Sequence, residues 1–363
     1  MKKVVICGGH LTPALALIES LQQKKEIEII FFGRKFATEG SKKLSQEYKL
    51  IMAKNIKFYT LTAGKLHRKF TRYTIPSLSK LPLGLTQSLK YLLEEKPDLV
   101  ISLGSYVSTP VVLASFVLGI NSIAHEQSIT PGLATKINSK FTKKIFLTWP
   151  ESEKFFKNRH PEVIGNLTRK SVFAKKAKNP SIANFLKKEG KLLFIAGGNQ
   201  GSHFINMLIF NSPDLLEDYL IIHQVGSTNF AGDLDKAMNI KKPNYLPVEF
   251  LADEDFGSAL SRCDILIGRS GINTVWDCLL ASVPAIYIPL AKEQTENSLY
   301  AQREGLAKVI YQHEAGAKLL RRKIDEIFSA YSEIKESLKK TAAKLPKNGA
   351  DIMASEVIKM LHD

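Results

Sequence analysis

The chain has 363 residues, 44% hydrophobic and 24% charged, and these ordinary globular proportions exclude a disordered or fibrous protein. The length predicts two domains of about 150–200 residues each. Lys and Arg number 51 against 35 Asp and Glu, which gives a net charge of +16. This excess favours a polyanionic partner, such as phosphate groups, nucleic acid or an anionic membrane surface. A basic surface that only keeps the protein soluble is an equally good explanation of the charge alone.

The cysteines and apolar runs predict a cytosolic protein without a membrane span. Cys7, Cys263 and Cys278 have neither CxxC nor metal-site spacing, so we expect reduced, buried thiols. The apolar run at the N-terminus is too short for a signal peptide. The apolar stretch 107–124 is interrupted by polar residues and proline, which favours a buried helix followed by a strand. Any membrane contact should therefore be peripheral.

Short β-branched runs alternate with helical patterns, which predicts βαβ units and parallel sheets. In the first half, strands are predicted at 3–7, 27–32, 98–103, 122–125 and 144–147, and helices at 13–23, 110–118 and 131–141. The pattern then restarts. Here strands are predicted at 191–196, 219–224, 264–267 and 284–289, and helices at 201–210, 253–262, 271–280 and 295–305.

These elements predict an α/β protein of two Rossmann-like, doubly wound parallel-sheet domains that face each other across a cleft. The domains are predicted at 1–166 and 167–345, with a polar linker around 165–180. A last amphipathic helix within 346–363 is expected to return to the first domain. Because ligands of such sheets bind beyond the carboxyl ends of the strands, the loops there are the candidate sites.

The first glycine loop, Gly8-Gly9-His10, follows the first strand. Glycines let backbone N–H groups approach a ligand, and the following helix N-terminus favours an anion. A neutral His10 imidazole in the cleft could accept a proton from an attacking hydroxyl group. The glycine pair is also consistent with a simple tight turn, and His10 with a capping or packing residue.

The second glycine loop, Gly197-Gly198-Asn199-Gln200-Gly201-Ser202, lies between an apolar strand and a helix. It matches neither the dinucleotide-binding GxGxxG pattern nor a P-loop. Several backbone N–H donors at a helix N-terminus could hold a pyrophosphate without a metal ion. The alternative is a glycine turn required only for packing.

Two further polar clusters follow later strands of the second half. In the first, Ser270 is predicted to cap a helix that begins at Gly271 and continues through Ile272, Asn273, Thr274 and Val275. Asp277, one turn into this helix, could accept ribose hydroxyls or simply offset the helix dipole. In the second cluster, Gln294 and Asn297 share one helix face and suit recognition of sugar hydroxyls. On an ordinary surface helix such amides would only be solvated.

A basic stretch of the first half carries interleaved aromatic residues: Lys65, Arg68, Lys69, Phe70 and Arg72. Cations and aromatics in this arrangement favour contact with an anionic membrane surface, although a solvated loop is the alternative. Nucleic acid would also suit the charge. We expect no nucleic-acid binding, because the sequence contains no helix-turn-helix, RNP or zinc pattern that reads bases.

In this order the motifs resemble the glycosyltransferases of GT-B architecture, and closely the MurG family of peptidoglycan N-acetylglucosaminyltransferases. The resemblance runs through nearly the whole chain. It rests on Gly8-Gly9-His10 with Pro13-Ala14-Leu15, Pro97-Asp98, Tyr106-Val107-Ser108, His125-Glu126-Gln127 with Pro131-Gly132-Leu133, Gly165-Asn166 with Arg169, Gly197-Gly198 with Gln200-Gly201, His223-Gln224, Arg269-Ser270-Gly271 with Thr274-Val275, Pro284-Ala285, and Gln294 with Asn297.

The resemblance implies an inverting transfer of GlcNAc from UDP-GlcNAc to the muramyl 4-hydroxyl of lipid I, which yields lipid II at the cytoplasmic face of the cell membrane. No acidic cluster with metal-site spacing stands out in the sequence, so we expect no metal requirement, and we expect no cofactor. His10 matches the base, and Gly8 and Gly9 the loop near the acceptor diphosphate. The other acceptor-side positions are Tyr106, His125, Glu126 and Ser128. On the donor side the resemblance assigns Arg169 and Asn199 to phosphate and sugar, the Leu251 backbone to uracil, Asp277 to ribose, and Gln294 and Asn297 to GlcNAc.

Several positions depart from the family pattern. The first glycine loop is shorter than the usual Gly-Gly-Thr-Gly-Gly-His, and single substitutions include Ser105 for Gly, Ser128 for Asn, Asn199 for Ser and Asp277 for Glu. These changes indicate a divergent member. Three alternatives stay open: a related UDP-sugar transferase with another lipid acceptor, a non-catalytic nucleotide-sugar or nucleic-acid-binding module, and a sugar-nucleotide epimerase.

Overall fold

The computed structural model describes residues 1–8, 11–24, 27–36, 43–62 and 80–362. The chain forms two compact units: Met1–Arg169 with Pro346–Asp363, and Lys170–Leu345. The sequence-based division lay after residue 166.

The first unit contains a seven-stranded sheet in which all neighbouring strands are parallel. Its strands are β1 Lys2–Cys7, β2 Ile27–Gly33, β3 Lys57–Thr60, β4 Leu99–Ser102, β5 Ser122–Glu126, β6 Lys144–Leu147 and β7 Glu162–Val163. Their order in the sheet is β3-β2-β1-β4-β5-β6-β7. The helices between them are α1 Leu11–Gln22, α2 Gln46–Ala53, α3 Lys80–Glu95, α4 Ser105–Val117 and α5 Leu133–Asn138.

Both faces of this sheet are buried, as expected for parallel strands covered by helices. Along β1, Val4 and Ile6 face one apolar cluster with α1. Val5 and Cys7 alternate with them and face a second cluster with α4. The strand composition therefore follows from burial on both sides.

The C-terminal helix, Gly349–His362, belongs to the first unit and packs on α1. Met353 and Val357 are buried in the same cluster as α1, and Ser20 donates to Asp351 at 2.8 Å. A Cβ atom at Gly349 would lie 2.6 Å from the carbonyl oxygen of Asn166. Only glycine therefore lets the helix begin against this turn.

The second unit contains a six-stranded parallel sheet of order β10-β9-β8-β11-β12-β13. Its strands are β8 Leu192–Ala196, β9 Leu220–Gln224, β10 Tyr245–Val248, β11 Ile265–Gly268, β12 Ala285–Tyr287 and β13 Ala307–Val309. Its helices are α6 Pro180–Phe185, α7 His203–Phe210, α8 Leu215–Asp218, α9 Asp233–Asn239, α10 Asp253–Arg262, α11 Ile272–Ala281, α12 Lys292–Arg303, α13 Ala317–Ser329 and α14 Tyr331–Ala343.

The predicted fold class, two doubly wound parallel-sheet domains, is confirmed. Helix α4 begins five residues before the predicted 110, because Gly104 and Ser105 turn the chain with φ of 77° and 65° directly after β4. Pro110 lies inside this helix, where the sequence suggested a start. Strands β3, β7, β10 and β13 were not predicted; each is only two to four residues long.

No helix in the described ranges is long and apolar enough to cross a membrane. Residues 170–173, inside the predicted linker, form a short 3-10 helix packed on α10. A Cβ atom at Gly257 of α10 would lie 2.5 Å from the carbonyl oxygen of Val172. This part of the predicted linker is therefore an ordered element of the second unit.

Candidate functional site

In the second unit, the glycine loop after β8 lies directly against the end of β9. Gly201 has a φ of 85°, and a Cβ atom there would lie 2.1 Å from the carbonyl oxygen of Val225. Gly226 has a φ of 106°, and its Cβ would lie 2.1 Å from the Cα of Gly201. Any other residue at either position would collide with the backbone of the neighbouring loop.

Hydrogen bonds from the segment after β9 hold the shape of the same loop. The backbone amides of Ser227 and Thr228 donate to the carbonyl oxygens of Asn199 and Gln200 at 3.1 and 3.3 Å. The side chains of Asn199 and Gln200 are exposed, as is Gly198. The loop thus presents polar side chains and glycine backbone to solvent from a fixed turn.

Gln224, the last residue of β9, is buried and joins two loops. Its Nε2 donates to the carbonyl oxygen of Gly198 at 3.1 Å. Its Oε1 accepts the backbone N–H of Leu251 at 3.2 Å. The amide of Leu251 is therefore engaged within the protein, and only its carbonyl fits the backbone contact to uracil that the resemblance implies.

Arg269, at the end of β11, ties a third segment to the glycine loop. Its Nη2 donates to Ser202 Oγ at 2.6 Å and its Nη1 to the carbonyl oxygen of Ile288 at 2.8 Å. Ser202 in turn accepts the backbone N–H of Ile205 at 3.4 Å, which caps α7. Partial burial lowers the pKa of Arg269 from its usual value.

Ser270 does not cap α11, so that prediction is wrong. The N-cap residue is Gly271 and no side chain caps the helix. Instead the buried Ser270 hydroxyl donates to the carbonyl oxygen of Gln294 at 2.7 Å. The reason is that α12 packs close to this turn, and Asn297 Nδ2 donates to the carbonyl oxygen of Ser270 at 3.1 Å.

The remaining candidate donor residues lie on α11 and α12 of the same unit. Residues 272–275 form the first turn of α11, and Asp277 follows on the same helix with its side chain buried. Gln294 Oε1 accepts the backbone N–H of Leu290 at 2.9 Å, so this amide holds the loop that leads into α12. The structure therefore brings Ser270, Gln294 and Asn297 together. Arg169, in contrast, belongs to the first unit.

A buried hydrogen-bond chain lies behind the glycine loop. His223 Nδ1 is 2.8 Å from the Tyr245 hydroxyl, and His223 Nε2 is 3.0 Å from Asn206 Oδ1. Asn206 Nδ2 donates to the buried carboxylate of Asp233 at 2.8 Å, and His203 Nδ1 is 2.9 Å from the same carboxylate. Burial lowers the pKa of His223 to about 3, so this imidazole is neutral. Because the amide oxygen Oδ1 of Asn206 can only accept, His223 donates from Nε2. These hydrogen bonds hold the first turns of α7 in place.

In the first unit, the carboxyl ends of β1 and β4 meet at Gly8. Its φ is 133°, and a Cβ atom would lie 2.7 Å from the carbonyl oxygen of Gly104. Ser105, which stands where glycine is usual in the family, keeps a left-handed φ of 65°. Gly9 and His10 lie outside the described residues, so the predicted base is not placed.

Arg34 follows β2 at the same edge and contacts Tyr106 of α4. Its Nη1 donates to the Tyr106 hydroxyl at 2.9 Å, and the guanidinium carbon lies 5.5 Å from the centre of the tyrosine ring. Because β1 lies between β2 and β4 in the sheet, this pair spans the end of β1. The backbone N–H of Arg34 donates to Glu47 Oε2 at 3.3 Å, and burial raises the pKa of Glu47 to about 7.

The predicted acceptor residues after β5 hold the local backbone. Glu126 accepts the backbone N–H groups of Ser128 and Gly132 at 2.9 and 3.2 Å, and burial raises its pKa. His125 is buried, with Nε2 3.2 Å from the carbonyl oxygen of Gly165 and 3.3 Å from Thr148 Oγ1. These bonds make both side chains structural supports of the strand end.

The predicted membrane residues Lys65, Arg68, Lys69, Phe70 and Arg72 lie outside the described residues. Within the described ranges, no three His, Cys, Asp or Glu side chains come together in a way that could hold a metal ion. The expected independence of a metal stays a prediction.

Four residues at the carboxyl ends of the strands in the two sheets were not assigned a role from the sequence: Arg34, Gln224, Gly226 and Arg269. Gln224 and Arg269 belong to motifs of the family resemblance. Their position at the ends of strands was the sequence signal that could have identified them as site residues. Arg34 also directly follows a strand, but no motif surrounds it.

Two Rossmann-like units, with glycine turns after the first strand of each sheet, are the framework of GT-B glycosyltransferases. The family models agree with this class: residues 7–147 match the glycosyltransferase family 28 N-terminal domain, and residues 192–353 match its C-terminal domain. The chain is 31% identical over 372 residues to the UDP-N-acetylglucosamine--N-acetylmuramyl-(pentapeptide) pyrophosphoryl-undecaprenol N-acetylglucosamine transferase of Clostridium botulinum (strain Alaska E43 / Type E3), with 99% of each chain covered. It is 30% identical to the same-named protein of Staphylococcus aureus (strain JH9), over 93% of this chain and 94% of that protein. The chain therefore belongs to this family of transferases.

Solved structures agree on the fold. The crystal structure of Acinetobacter baumannii MurG matches with a TM-score of 0.73 and 23% identity, covering 99% of this chain and 100% of that one. The UDP-GlcNAc 2-epimerase of Neisseria meningitidis, bound to UDP-GlcNAc, matches with a TM-score of 0.65 and 13% identity, covering 99% of this chain and 100% of that one. At these identities the likeness shows a shared fold, which transferases and epimerases both use.

Proposed function

We propose that this chain transfers GlcNAc from UDP-GlcNAc to the muramyl 4-hydroxyl of undecaprenyl-diphosphate-linked N-acetylmuramyl-pentapeptide, lipid I, and so forms lipid II. The observation that carries the proposal is the full-length identity of 31% to a transferase named for this reaction. The match covers 99% of this chain and therefore both units.

The second unit is proposed to bind UDP-GlcNAc at the edge formed by the loops after β8, β9 and β11. The exposed Asn199 and Gln200 side chains and the glycine backbone suit a diphosphate, whose charge is also favoured at the α7 N-terminus. The Leu251 carbonyl would receive uracil, and Asp277 the ribose hydroxyls. Gln294 and Asn297, already close to Ser270, would meet the GlcNAc hydroxyls.

The first unit is proposed to bind the acceptor, and His10 to accept the proton of the attacking hydroxyl. His125 and Glu126 are the next candidates for this role, but both hold backbone groups in the interior. Their engagement supports His10 as the base. Attack at the anomeric carbon from the face opposite UDP would invert its configuration.

The departing diphosphate needs its developing charge stabilised. Backbone N–H groups of the β8 loop are proposed to do this, since preorganised donors can replace a metal ion in this role. Arg269 would act indirectly, because it braces Ser202 at the start of α7.

The enzyme is further proposed to work on the anionic inner face of the plasma membrane, where its acceptor is anchored. Phe116 and Val117, at the end of α4, are 59% and 70% exposed. Phe141 packs edge-on against Phe116 with ring centroids 5.2 Å apart, and exposed Lys140 and Lys143 flank it in sequence. Apolar side chains with adjacent lysines suit peripheral contact with anionic lipid. The basic stretch 65–72 would add charge.

The test is an assay with UDP-GlcNAc, radiolabelled in the sugar, and a lipid I analogue. Label should move to the lipid-linked product only when both substrates are present. Transfer to a different lipid-linked acceptor, with lipid I inactive, would overturn the acceptor assignment.

A further inference from the structure

We propose that Arg34 is an acceptor-binding residue that holds the diphosphate of the acceptor through the Nε and Nη2 edge of its guanidinium. This inference rests on the proposed function. The family name specifies an acceptor with a pyrophosphoryl group. A cationic side chain at the carboxyl edge of the first unit's sheet would add a charged partner for this group beside the loop at Gly8.

The position of Arg34 fits this role. It directly follows β2, next to the end of β1, where the glycine turn at Gly8 brings backbone close to β4. The Tyr106 hydroxyl accepts from Nη1, and the guanidinium carbon lies 5.5 Å from the centre of the tyrosine ring. These two contacts fix the plane and the rotation of the group.

The hydrogen bonding leaves one edge of the guanidinium for a ligand. Nε is buried and has no hydrogen-bond partner in the described structure. Nε and Nη2 lie side by side, and their parallel N–H groups form the fork that binds phosphate or carboxylate oxygens in a bidentate way. A buried donor without a partner is unfavourable, so an anion bound here would satisfy it.

The neighbouring carboxyl group does not replace such a ligand. Glu47 accepts the backbone N–H of Arg34 with Oε2, while its Oε1 lies near Gly33. Burial raises the pKa of Glu47 to about 7, so its negative charge is incomplete near neutral pH. The site therefore keeps a positive side chain next to the end of β1.

The experiment compares two soluble acceptors with the same sugar and stem peptide, one with the diphosphate and one with a neutral glycosidic link in its place. Arg34→Gln should raise KM for the diphosphate acceptor on the order of 10- to 100-fold. KM for UDP-GlcNAc and the melting temperature should stay unchanged. Arg34→Lys should recover part of the loss, because charge remains without the fork. With the neutral acceptor, wild type and Arg34→Gln should have equal kcat/KM.

Lys35→Gln is the matched control. It removes the same charge one residue away, where the ammonium group lies over the rings of Phe36 and Tyr48. It should leave the acceptor KM unchanged. If Arg34→Gln does not fold, Tyr106→Phe tests the same geometry, since it removes the hydroxyl that orients Arg34 and should raise the same KM roughly 3- to 10-fold.

An unchanged acceptor KM in a folded Arg34→Gln enzyme would overturn the inference while the proposed function stands. An equal loss with both acceptors would also overturn it, because the diphosphate would not be the group that Arg34 binds. A wild-type enzyme inactive with both acceptors would instead overturn the proposed function, and this inference with it.

Discussion

Gln224 accepts the backbone N–H of Leu251 and so holds the loop before α10 at the end of β9. The other end of the same amide donates to Gly198 in the glycine loop. A single buried side chain thus sets the distance between the two segments proposed to bind uracil and diphosphate.

Gln224→Glu should raise the KM for UDP-GlcNAc about 10-fold, since a carboxylate keeps the acceptor for Leu251 but loses the donor to Gly198. Gln224→Met, which removes both hydrogen bonds, should have the larger effect. Initial rates at varied UDP-GlcNAc concentration give the donor KM of both variants and of the wild type. The acceptor KM serves as the control, and equal donor KM values in all three enzymes would remove Gln224 from this role.

Glu47 should make the first unit less stable as pH rises. Its folded-state pKa of about 7 lies above the ordinary 4.5, so the native state binds more protons between these values. Stability is therefore lost as pH rises through this window, by up to about 3 kcal/mol. A glutamine at this position does not titrate, so the stability of the Glu47→Gln variant lacks this dependence on pH.

Denaturant unfolding of both proteins at pH 5 and pH 8 measures this difference. The free energy of unfolding of Glu47→Gln, relative to wild type, should increase from pH 5 to pH 8. A difference that is the same at both pH values would show that Glu47 has an ordinary pKa in the folded protein.

The sequence predicted the fold because alternating strand and helix patterns depend on local periodicity and burial. It also located the loops at Gly8, Gly198 and Gly271, since glycines after apolar strands are a local signal. The partners of Gln224 and Arg34 could not be predicted, because Leu251 and Tyr106 are distant in sequence and meet only through sheet order. The predicted cap at Ser270 was wrong because its hydroxyl instead donates to a carbonyl oxygen of α12, which is also distant in sequence.

His10→Ala should lower kcat by roughly 10²- to 10⁴-fold, the usual contribution of a general base. The KM for UDP-GlcNAc should change little, because the proposed donor residues of the glycine loops lie in the other unit. The acidic limb of the pH–rate profile should disappear in the variant. If that limb persists, or kcat is that of the wild type, another group takes the proton.

Phe116→Ser combined with Val117→Ser should weaken binding to vesicles that contain anionic lipid, because the pair supplies exposed apolar surface. Cosedimentation at several salt concentrations measures the affinity. Turnover of a water-soluble acceptor should not change. Phe230→Ser, which removes a 63% exposed aromatic ring from the second unit, is the matched control. Equal vesicle affinity of the double variant and wild type would place the membrane contact elsewhere.

The most direct measurement of the central claim is the product formed from UDP-GlcNAc and lipid I in the presence of EDTA. We expect one GlcNAc to be added to the muramyl 4-hydroxyl for each UDP released. The anomeric proton should show a β linkage, inverted from the α-linked donor, and EDTA should not reduce the rate. Formation of an epimerised UDP-sugar without transfer, or an α-linked product, would contradict the account.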